Sequence, residues 1–292
     1  MHDGEAAIDA GLVRRLLAAQ FPRLAGLPVS EVPSTGTVNA IFRLGGELCV
    51  RLPRLREYAG DIDREWRCLP LLAPHLPLRI PEPVELGQPG SGFPFRWAVY
   101  RWIGGRPYAG ELVSDERQAA ADLAAFVAGL RGVEEVAGAP PAGRRPLREL
   151  DASTREAIGS AAQVIDSAAA TAAWDRALQA PAWDGTPVWI HSDLLRPNLV
   201  VERGRLHAVI DFGGAGIGDP AADVIAAWSV FGPAGRAVFR AALAVDDGTW
   251  ERARGFALHQ AALIIPYYAR TNPEFAGLAR RTISEILADI QA

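Results

Sequence analysis

Two short polar motifs, on either side of a predicted β-hairpin, restrict most strongly what this chain can fold into. The first is HSDLLRPN at residues 191–198, in which Asp193 and Asn198 follow the spacing H-x-D-x-x-x-x-N. The second is Asp211-Phe212-Gly213, which begins 13 residues after Asn198. Between them lie two β-like segments, LVVE (199–202) and LHAVI (206–210), joined by the turn pair Arg203-Gly204. The pattern predicts a hairpin whose strand ends carry the three polar side chains.

This combination of two carboxylates and an amide is suited to phosphoryl transfer from a nucleotide. The reaction needs a carboxylate that orients the attacking hydroxyl and accepts its proton, a role we assign to Asp193. It also needs oxygen ligands for Mg²⁺, which we assign to Asn198 and Asp211. His191 is expected to be structural and to hydrogen-bond the backbone. The two motifs in this order predict a kinase-type catalytic loop followed by a metal site.

The composition argues against several other classes of protein. The chain has 292 residues, of which 49% are apolar, enough to bury a sizeable core. A net charge of −4 argues against nucleic-acid and membrane-surface partners, and no apolar run approaches a transmembrane helix. Cys49 and Cys68 are too few for a disulfide framework and no leader-like segment opens the sequence, so we expect a cytoplasmic protein with reduced thiols. All 30 basic residues are arginine.

The first third of the chain predicts a helix followed by a small antiparallel sheet. Apolar residues at helical spacing predict a helix over residues 9–21. Three β-like segments follow, at 28–32, 39–44 and 47–52, and Gly45-Gly46 is a turn signal between the last two. Residues 60–73 predict a second helix, which Pro70 should kink or interrupt. The apolar segment at 95–105 predicts another strand and ends in a glycine pair that can act as a hinge.

Beyond residue 105 the pattern is mainly helical. Ser114 is the expected N-cap of a helix that has Asp115 and Glu116 in its first turn. Residues 131–150 carry several prolines and glycines and read as a loop. Residues 188–190 predict a short strand, and further helices are predicted at roughly 153–180, 220–231, 234–244, 250–265 and 274–290.

The stretch HSDLLRPNLVVERGRLHAVIDFGGAGIGDPAADV resembles the catalytic core of the aminoglycoside phosphotransferase family, which includes macrolide phosphotransferases. A looser similarity runs upstream through STGTVNAIFRLG, LCVRLPR and AVYRWIGG, so the resemblance covers most of residues 30–230. It implies an α+β, bilobal, protein-kinase-like fold. Residues 1–102 would form a nucleotide-binding lobe, an antiparallel sheet plus a helix, ending in a hinge near 100–105. Residues 103–292 would form a mainly α-helical lobe in which a small β-hairpin carries the catalytic residues.

The resemblance also implies a cation that grips the nucleotide phosphates and an acid that pairs with it. Arg51 falls at the position of the cation and Glu65 at the position of the acid. Arginine stands here in place of the usual lysine, and its planar guanidinium can still bind phosphate. Arg54 is an alternative for the same role.

The phosphate-covering loop departs from the protein-kinase pattern, because STGTVN has a single glycine where G-x-G-x-x-G is expected. Its backbone N–H groups and hydroxyls can still cover phosphates. The candidate cofactor-binding residues are therefore Ser34, Thr35, Gly36 and Thr37 in this loop, together with Tyr100 and Trp102 near the hinge.

The segment after Asp211-Phe212-Gly213 narrows the class of acceptor. A protein kinase has a long activation segment there, which holds a peptide. In this chain Asp219-Pro220 begins a helix within eight residues, with Asp219 as the expected N-cap. Asp223 is expected to brace the catalytic loop. The acceptor should therefore be a small molecule with a hydroxyl group, held by the C-terminal helices.

The sequence leaves the identity of the acceptor open. A macrolide would favour an apolar cleft, although aromatic residues at helical spacing, such as Trp228, Phe231, Tyr267 and Tyr268, are more typical of a core. A polycationic aminoglycoside would favour clustered carboxylates, and the C-terminal third offers Asp246, Asp247, Glu251, Glu274, Glu285 and Asp289 without an obvious cluster. Arg196 either touches the transferred phosphate or faces solvent.

Two other functions stay open as alternatives. One is a metabolic kinase for a sugar, choline-like or amino-alcohol substrate. The other is a kinase-like binding module without catalysis, in which arginine at position 51 would mark lost phosphate handling. The oligomeric state and the choice between ATP and GTP as donor are likewise open.

Overall fold

The computed structural model of the chain describes residues 8–32, 38–134 and 137–291. Its Cα positions separate into two compact units. The first unit consists of Met1–Pro74, Arg79–Gly104 and Ile210–Gly213, and the second of His75–Leu78, Gly105–Val209 and Gly214–Ala292. Asp211 therefore belongs to the first unit, whereas Asp193 and Asn198 belong to the second.

The first unit contains a five-stranded antiparallel sheet with the strand order β1-β2-β3-β5-β4. Its strands are β1 (Val29–Glu31), β2 (Asn39–Leu44), β3 (Leu48–Pro53), β4 (Pro83–Gly87) and β5 (Trp97–Arg101). In the β2–β3 hairpin Leu44 pairs with Leu48, and Gly45 adopts the left-handed φ of 60° that the turn requires. The strands predicted at 28–32, 39–44 and 47–52 are confirmed, whereas β4 was not predicted.

Two helices accompany this sheet, α1 (Ala10–Gln20) and α2 (Ala59–Leu72). The carboxylate of Asp9 caps α1, accepting a hydrogen bond from the N–H of Leu12 at 2.7 Å. The buried face of α1 belongs to the same apolar cluster as Phe42 and Trp97. Helix α2 continues for two residues past Pro70, so the predicted interruption is wrong. Pro70 cannot donate to the carbonyl of Trp66, but it lies in the last turn, so only Leu71 and Leu72 follow it in the helix.

The second unit is mainly helical. Helix α9 is its central element, because α4, α5, α6 and α10 all pack against it, and most of its residues are buried. The helices of this unit are α3 (Glu116–Arg131), α4 (Asp151–Ser160), α5 (Ser167–Leu178), α6 (Ala221–Val224), α7 (Ala226–Ser229), α8 (Pro233–Ala242), α9 (Asp247–Tyr268) and α10 (Pro273–Gln291).

The N-cap of α3 is Asp115, one residue later than predicted. Its carboxylate accepts hydrogen bonds from the N–H groups of Arg117 at 2.9 Å and Gln118 at 3.3 Å. Ser114 instead donates its backbone N–H to the carbonyl oxygen of Gly204 at 3.0 Å. This contact ties the residue before the helix to the turn of the catalytic hairpin.

Two small sheets in the second unit carry the strands next to the predicted motifs. One has the order β6-β8-β9 and the other pairs β7 with β10. The strands are β6 (Arg106–Pro107), β7 (Val188–Ile190), β8 (Leu199–Glu202), β9 (Arg205–Val209) and β10 (Gly216–Gly218). Arg203 and Gly204 connect β8 to β9 with φ values of 50° and 80°, as a tight hairpin turn requires. The predicted hairpin is confirmed, whereas β6 and β10 were not predicted.

The described residues include no helix that combines the length and the apolar character needed to cross a bilayer. Cys49 and Cys68 are both free thiols. Trp228 and Phe231 are fully buried and belong to the core of the second unit, as their helical spacing indicated, whereas Tyr267 is 57% exposed and does not.

Candidate active site

A buried carboxylate anchors the catalytic loop that follows β7. Asp223, in α6, is fully buried. Its Oδ2 accepts a hydrogen bond from the backbone N–H of His191 at 2.9 Å, and its Oδ1 accepts one from the N–H of Ser192 at 2.7 Å. Burial raises the pKa of the Asp223 carboxyl, against the opposing effect of His191 and these hydrogen bonds. The contacts fix the backbone at the start of the loop, which is the bracing role expected of Asp223.

The first two residues of the loop adopt a conformation that this anchoring stabilises. Ser192 has a φ of 71°, in the left-handed region that few residues other than glycine adopt. His191 is fully buried, and its Nδ1 accepts a hydrogen bond from the backbone N–H of Asp193 at 3.2 Å. The imidazole therefore holds the backbone of the neighbouring residue, as predicted.

Two neutral amides hold the carboxylate of Asp193. The Nδ2 of Asn198 donates to Asp193 Oδ2 at 2.8 Å and to the Asp193 carbonyl oxygen at 3.0 Å. The Nε2 of Gln260, in α9, donates to Asp193 Oδ1 at 2.5 Å. The side chain of Asp193 remains 37% exposed. Both amides thus orient the carboxylate while adding no charge that would neutralise it.

A buried arginine that no sequence motif indicated supports this arrangement. Arg144 donates from Nε and Nη2 to the carbonyl oxygen of Ser192 at 3.0 and 2.7 Å. Its Nη2 also donates to Gln260 Oε1 at 2.7 Å. Because Oε1 accepts from Arg144, the Nε2 of the same amide is the atom that faces Asp193. The guanidinium itself lies 3.9 Å from Asp193 Oδ1, and burial lowers the pKa of Arg144.

In the first unit, Arg51 joins two carboxylates. Its Nη1 donates to Glu65 Oε1 at 2.6 Å and its Nη2 donates to Asp211 Oδ1 at 2.6 Å. With its amide oxygen turned toward the guanidinium, Asn39 accepts from Arg51 Nη2 at 2.8 Å and from Nε at 3.0 Å. Burial lowers the pKa of Arg51, but Glu65 and Asp211 more than offset this effect, so the pKa is raised. The predicted cation and acid thus form an ion pair.

Glu65 is fully buried in α2 and joins several elements of the first unit. Besides Arg51, its Oε1 accepts a hydrogen bond from the N–H of Phe212 at 2.9 Å, and its Oε2 accepts one from the hydroxyl of Tyr100 at 2.7 Å. Tyr100 is only 3% exposed. The hydroxyl of Tyr100 is therefore bound by Glu65, and the nucleotide contact of Tyr100 stays a prediction.

Asp211 itself has an unusual backbone, with a φ of 68°. Non-glycine residues in this region are uncommon and concentrate at functional sites. Two residues later, a Cβ added to Gly213 would lie 2.9 Å from the carboxylate of Asp61, so only glycine fits without displacing that group. Burial raises the pKa of Asp61 to about 6; Arg51 opposes this shift and the nearby Asp211 adds to it. Asp61 is a further titratable group at this end of the first unit that the sequence did not indicate.

Asn198 and Asp211 carry oxygen donors of the kind that a hard cation takes. Because Nδ2 of Asn198 donates to Asp193, its Oδ1 is left with no hydrogen bond to another described residue. The side chain of Asp211 is 43% exposed. Within the described ranges no group of three or more His, Cys, Asp or Glu residues could hold a metal ion. The chemistry of the two side chains fits Mg²⁺.

The other predicted site residues are placed as follows. Ser34, Thr35, Gly36 and Thr37 lie outside the described residues. Trp102 is half-buried, and the guanidinium of Arg43 lies 4.3 Å from the centre of its indole ring. Asp219 accepts from the N–H of Ala221 at 2.9 Å and pairs with Arg252 at 2.8 Å. Asp219 is therefore structural, but the N-cap of α6 is Pro220, one residue later than predicted.

Comparison with known proteins identifies the family of this chain. The model of the "Phosphotransferase enzyme family" matches residues 31–256, and the chain therefore belongs to that family. The N-terminal antiparallel sheet and the mainly helical C-terminal part have the predicted protein-kinase-like fold. The resemblance to aminoglycoside and macrolide phosphotransferases is confirmed. A search of curated protein sequences found no match.

Three solved structures illustrate the shared fold. The GDP complex of wild-type aminoglycoside 2′-phosphotransferase-IIIa has 19% identity and a TM-score of 0.73, covering 97% of this chain and 100% of that one. ADP-bound aminoglycoside phosphotransferase APH(2″)-Ib has 17% identity and a TM-score of 0.60, covering 96% and 97%. Macrolide 2′-phosphotransferase MphH from Brachybacterium faecium has 23% identity and a TM-score of 0.59, covering 96% and 98%. At these identities the likeness shows the fold alone.

Proposed function

We propose that the protein is a small-molecule O-phosphotransferase. It would transfer the γ-phosphoryl group of ATP or GTP to a hydroxyl group of an aminoglycoside- or macrolide-like antibiotic. The observation that carries this proposal is the carboxylate of Asp193, which Asn198 and Gln260 hold from both sides and which stays partly exposed. A general base must be fixed within hydrogen-bonding reach of the hydroxyl and must remain accessible to it.

The roles of the remaining residues follow from their contacts and from their chemistry. Arg51, oriented by Glu65 and Asn39, would bind the nucleotide phosphates with its guanidinium. Tyr100 would act through Glu65, while Trp102 and the loop residues Ser34, Thr35, Gly36 and Thr37 would contribute further nucleotide contacts. Asn198 and Asp211 would hold one Mg²⁺, which when bound neutralises negative charge on the phosphates.

The proposed reaction is a single displacement at phosphorus. Asp193 orients the acceptor hydroxyl and accepts its proton as the oxygen forms a bond to the γ-phosphorus. The bond between that phosphorus and the oxygen bridging to the β-phosphate breaks, and the nucleoside diphosphate leaves. The products are the phosphate ester of the acceptor and the diphosphate, with the proton on Asp193. In this scheme residues 1–102 bind the nucleotide, and residues 103–292 supply the base and bind the acceptor.

The nucleotides held by proteins of the same fold support this choice of donor. Among the similar structures, one phosphotransferase holds GDP and another holds ADP. Both are the diphosphate products expected from GTP and ATP. We therefore propose that one of these triphosphates is the donor and that Mg²⁺ accompanies it.

The test is a measurement of nucleotide consumption and product formation with wild-type protein, Mg²⁺ and either ATP or GTP. The acceptor panel contains aminoglycosides, macrolides, peptide antibiotics and simple amino alcohols. We expect phosphorylated acceptor by mass spectrometry. We also expect the Asp193→Asn variant to lower kcat by about 10² to 10⁴-fold, with an unchanged melting temperature.

Asp184→Asn is the matched control, because Asp184 is an exposed carboxylate upstream of β7 in the same unit. It should retain wild-type turnover. A folded wild-type protein that binds neither ATP nor GTP and phosphorylates no acceptor would contradict the proposal and favour the alternative of a silent binding module. Full activity in Asp193→Asn would remove the assigned base.

A further inference from the structure

A pocket lies beside the catalytic loop, within the second unit and between α9 and α10. It encloses about 330 Å³ of empty space, counting its open mouth. This figure includes open solvent at the mouth, and the space available to the centre of a water-sized sphere is only about 20 Å³, so the pocket is a shallow groove that can take a small apolar group. The residues that line it include Leu195, Pro197, Gln260, Ile264, Phe275 and Leu278. Most of this surface is therefore apolar.

The pocket is connected to the proposed base through one side chain. Gln260 lines the pocket and donates its amide N–H to Asp193 Oδ1 at 2.5 Å. Leu195 and Pro197, which also line it, come two and four residues after Asp193 in the catalytic loop. A molecule seated in this pocket would thus lie next to the carboxylate that is proposed to accept its proton.

The charges around the pocket are unsuited to a polycation. No Asp or Glu side chain is among its lining residues. The carboxylates of α10 are bound by arginines, since Asp289 accepts from Arg236 at 3.0 Å and from Arg254 at 2.7 Å. Glu285 pairs with Arg236 and Arg281. These acids are therefore already neutralised inside the protein and do not form a binding surface for ammonium groups.

The carboxylates at the start of α9 are also bound within the protein, by a helix cap or by arginines. Asp246 caps the helix by accepting from the N–H of Thr249 at 2.9 Å, Asp247 pairs with Arg240, and Glu251 pairs with Arg254. Of the six C-terminal acids considered from the sequence, only Glu274 has no ion pair or capping bond to a described residue, and it is exposed. One acid cannot provide a cluster.

A fixed cation also lines the pocket. The guanidinium of Arg196 donates from Nε and Nη2 to the carbonyl oxygen of Val230 at 3.1 and 2.7 Å, and it lies 5.4 Å from the ring centre of Tyr108. Arg281 lies close enough to lower the pKa of Arg196 further after burial has lowered it. Arg281 is itself paired with Glu285, so the positive charge that lines the pocket is that of Arg196, and it disfavours an ammonium group there.

We propose that the acceptor carries at most one positive charge and places an apolar portion in the pocket between α9 and α10. Polycationic acceptors are disfavoured at this site. This inference rests on the proposed phosphotransferase function, because it identifies the acceptor of that reaction. It predicts binding even without nucleotide, so the pocket can be tested apart from catalysis.

The experiment uses three probes of differing charge, each measured by calorimetric binding and by ATP- or GTP-dependent phosphorylation. Kanamycin represents a polycation, erythromycin a molecule with one amine, and hexyl β-D-glucoside a neutral sugar with an apolar tail. We expect erythromycin or hexyl glucoside to bind more tightly than kanamycin. For any of the three that is phosphorylated, kcat/KM should follow the same order.

The pocket is tested with a matched pair of variants on α9. Ile264→Asp places a charge on the lining of the pocket. Leu263→Asp places the same charge on the neighbouring residue, which is exposed and does not line it. We expect Ile264→Asp to weaken binding of the preferred probe by about tenfold or more, while Leu263→Asp leaves it unchanged. Ile264→Ala is the second variant if Ile264→Asp lowers the melting temperature, and it should weaken binding in the same direction.

The outcomes separate this inference from the proposed function. Tighter binding or faster phosphorylation of kanamycin would overturn the inference while supporting the phosphotransferase function. Binding of neither weakly charged probe, or binding that Ile264→Asp and Ile264→Ala both leave unchanged, would also overturn it. Pocket-dependent binding without any phosphorylation would instead support the inference about the pocket and count against the proposed reaction.

Discussion

The amide of Gln260 donates its Nε2–H to Oδ1 of Asp193 at 2.5 Å, across 67 residues of sequence. Arg144 fixes the orientation of this amide by donating to its oxygen at 2.7 Å. Asp193 is therefore held by a residue from the catalytic loop, Asn198, and by a residue from the long helix α9. Both contacts are needed to fix both carboxylate oxygens.

Removing the Gln260 amide should impair the base without unfolding the protein. In the Gln260→Leu variant, Asp193 Oδ1 loses its donor and the carboxylate gains rotational freedom. We expect kcat to fall by about 10 to 100-fold, since small misplacements of catalytic groups have effects of this size. Steady-state kinetics should show the loss mainly in kcat.

Gln118→Leu is the control for this prediction. Gln118 likewise donates its Nε2–H to an aspartate, Asp122, at 2.8 Å, but this pair is exposed on α3. Its replacement should leave kcat unchanged. If both variants keep wild-type kcat, Gln260 does not position the base.

Replacing Arg51 should affect both stability and nucleotide binding. The Arg51→Met variant leaves the fully buried Glu65 without its cation, and the loss of one partner of a buried pair typically destabilises a protein by about 3 to 5 kcal/mol. Arg51→Lys keeps a charge but loses the fork that joins Glu65 and Asp211. We expect it to recover part of the stability and to bind nucleotide more weakly than wild type.

Urea denaturation and nucleotide titration measure the two effects of the Arg51 variants. Arg96→Met is the matched control, because Arg96 pairs with Asp63 at 2.6 Å while both side chains are well exposed. Such pairs contribute less than about 1 kcal/mol. An equal loss of stability in Arg96→Met and Arg51→Met would show that burial of Glu65 is not the reason.

The catalytic loop could be predicted from the sequence, whereas Gln260 and Arg144, which contact it, could not. The hairpin of β8 and β9 and the spacing of Asp193, Asn198 and Asp211 are local patterns, and a turn pair such as Arg203-Gly204 determines its conformation within a few residues. Gln260 and Arg144 belong to no local motif and contact the loop only through tertiary folding. The sequence patterns therefore singled out Asp193, Asn198 and Asp211 as candidates and Asp223 as a brace, but gave no sign of Gln260 or Arg144.

Some secondary-structure elements and contacts differ from the predictions or were not predicted. β4 (Pro83–Gly87) was missed because it contains proline and glycine and lacks the alternating burial of a regular strand. The cap of α3 was predicted one residue too early because Ser and Asp are both common N-cap residues, and it is Asp115 whose carboxylate accepts the N–H groups. The hydrogen bond from the Tyr100 hydroxyl to Glu65 joins residues 35 positions apart and was not predicted.

Replacing Asp223 should destabilise the loop more than replacing an exposed cap. In Asp223→Ala the N–H groups of His191 and Ser192 lose the acceptor they share in the buried interior. Each unsatisfied buried donor costs about 1 to 3 kcal/mol, so we expect a loss of about 3 kcal/mol together with loss of turnover. Chemical denaturation at fixed pH measures the first effect.

The control for Asp223 is Asp115→Ala. Asp115 also accepts from two backbone N–H groups, but it is an exposed N-cap whose removal should destabilise by about 1 kcal/mol. Turnover should be retained in this variant. Equal destabilisation by the two substitutions would mean that Asp223 contributes no more than an ordinary cap.

His259 should make the stability of the protein fall in acid. Burial lowers the pKa of His259 from 6.5 to about 4, and Arg144 and Arg145 lower it further. Between pH 6.5 and pH 4 the folded protein therefore binds fewer protons at His259 than the unfolded chain does. The contribution of His259 to the free energy of unfolding is fully present above pH 6.5 and is lost as the pH falls toward 4. A shift of this size corresponds to at most about 3 kcal/mol.

The His259→Gln variant isolates this effect. Glutamine can still hydrogen-bond the hydroxyl of Thr154, which lies 2.8 Å from His259 Nδ1, but it does not titrate. The difference in unfolding free energy between pH 7.5 and pH 5, measured in urea, should therefore be about 1 to 2 kcal/mol smaller in the variant than in wild type. His75→Gln, at an exposed position, should leave the difference unchanged. The contributions of other titrating groups, such as Asp61, are the same in both proteins and cancel in this comparison. If the pH-dependent difference is unchanged in His259→Gln, His259 is protonated equally in the folded and unfolded states.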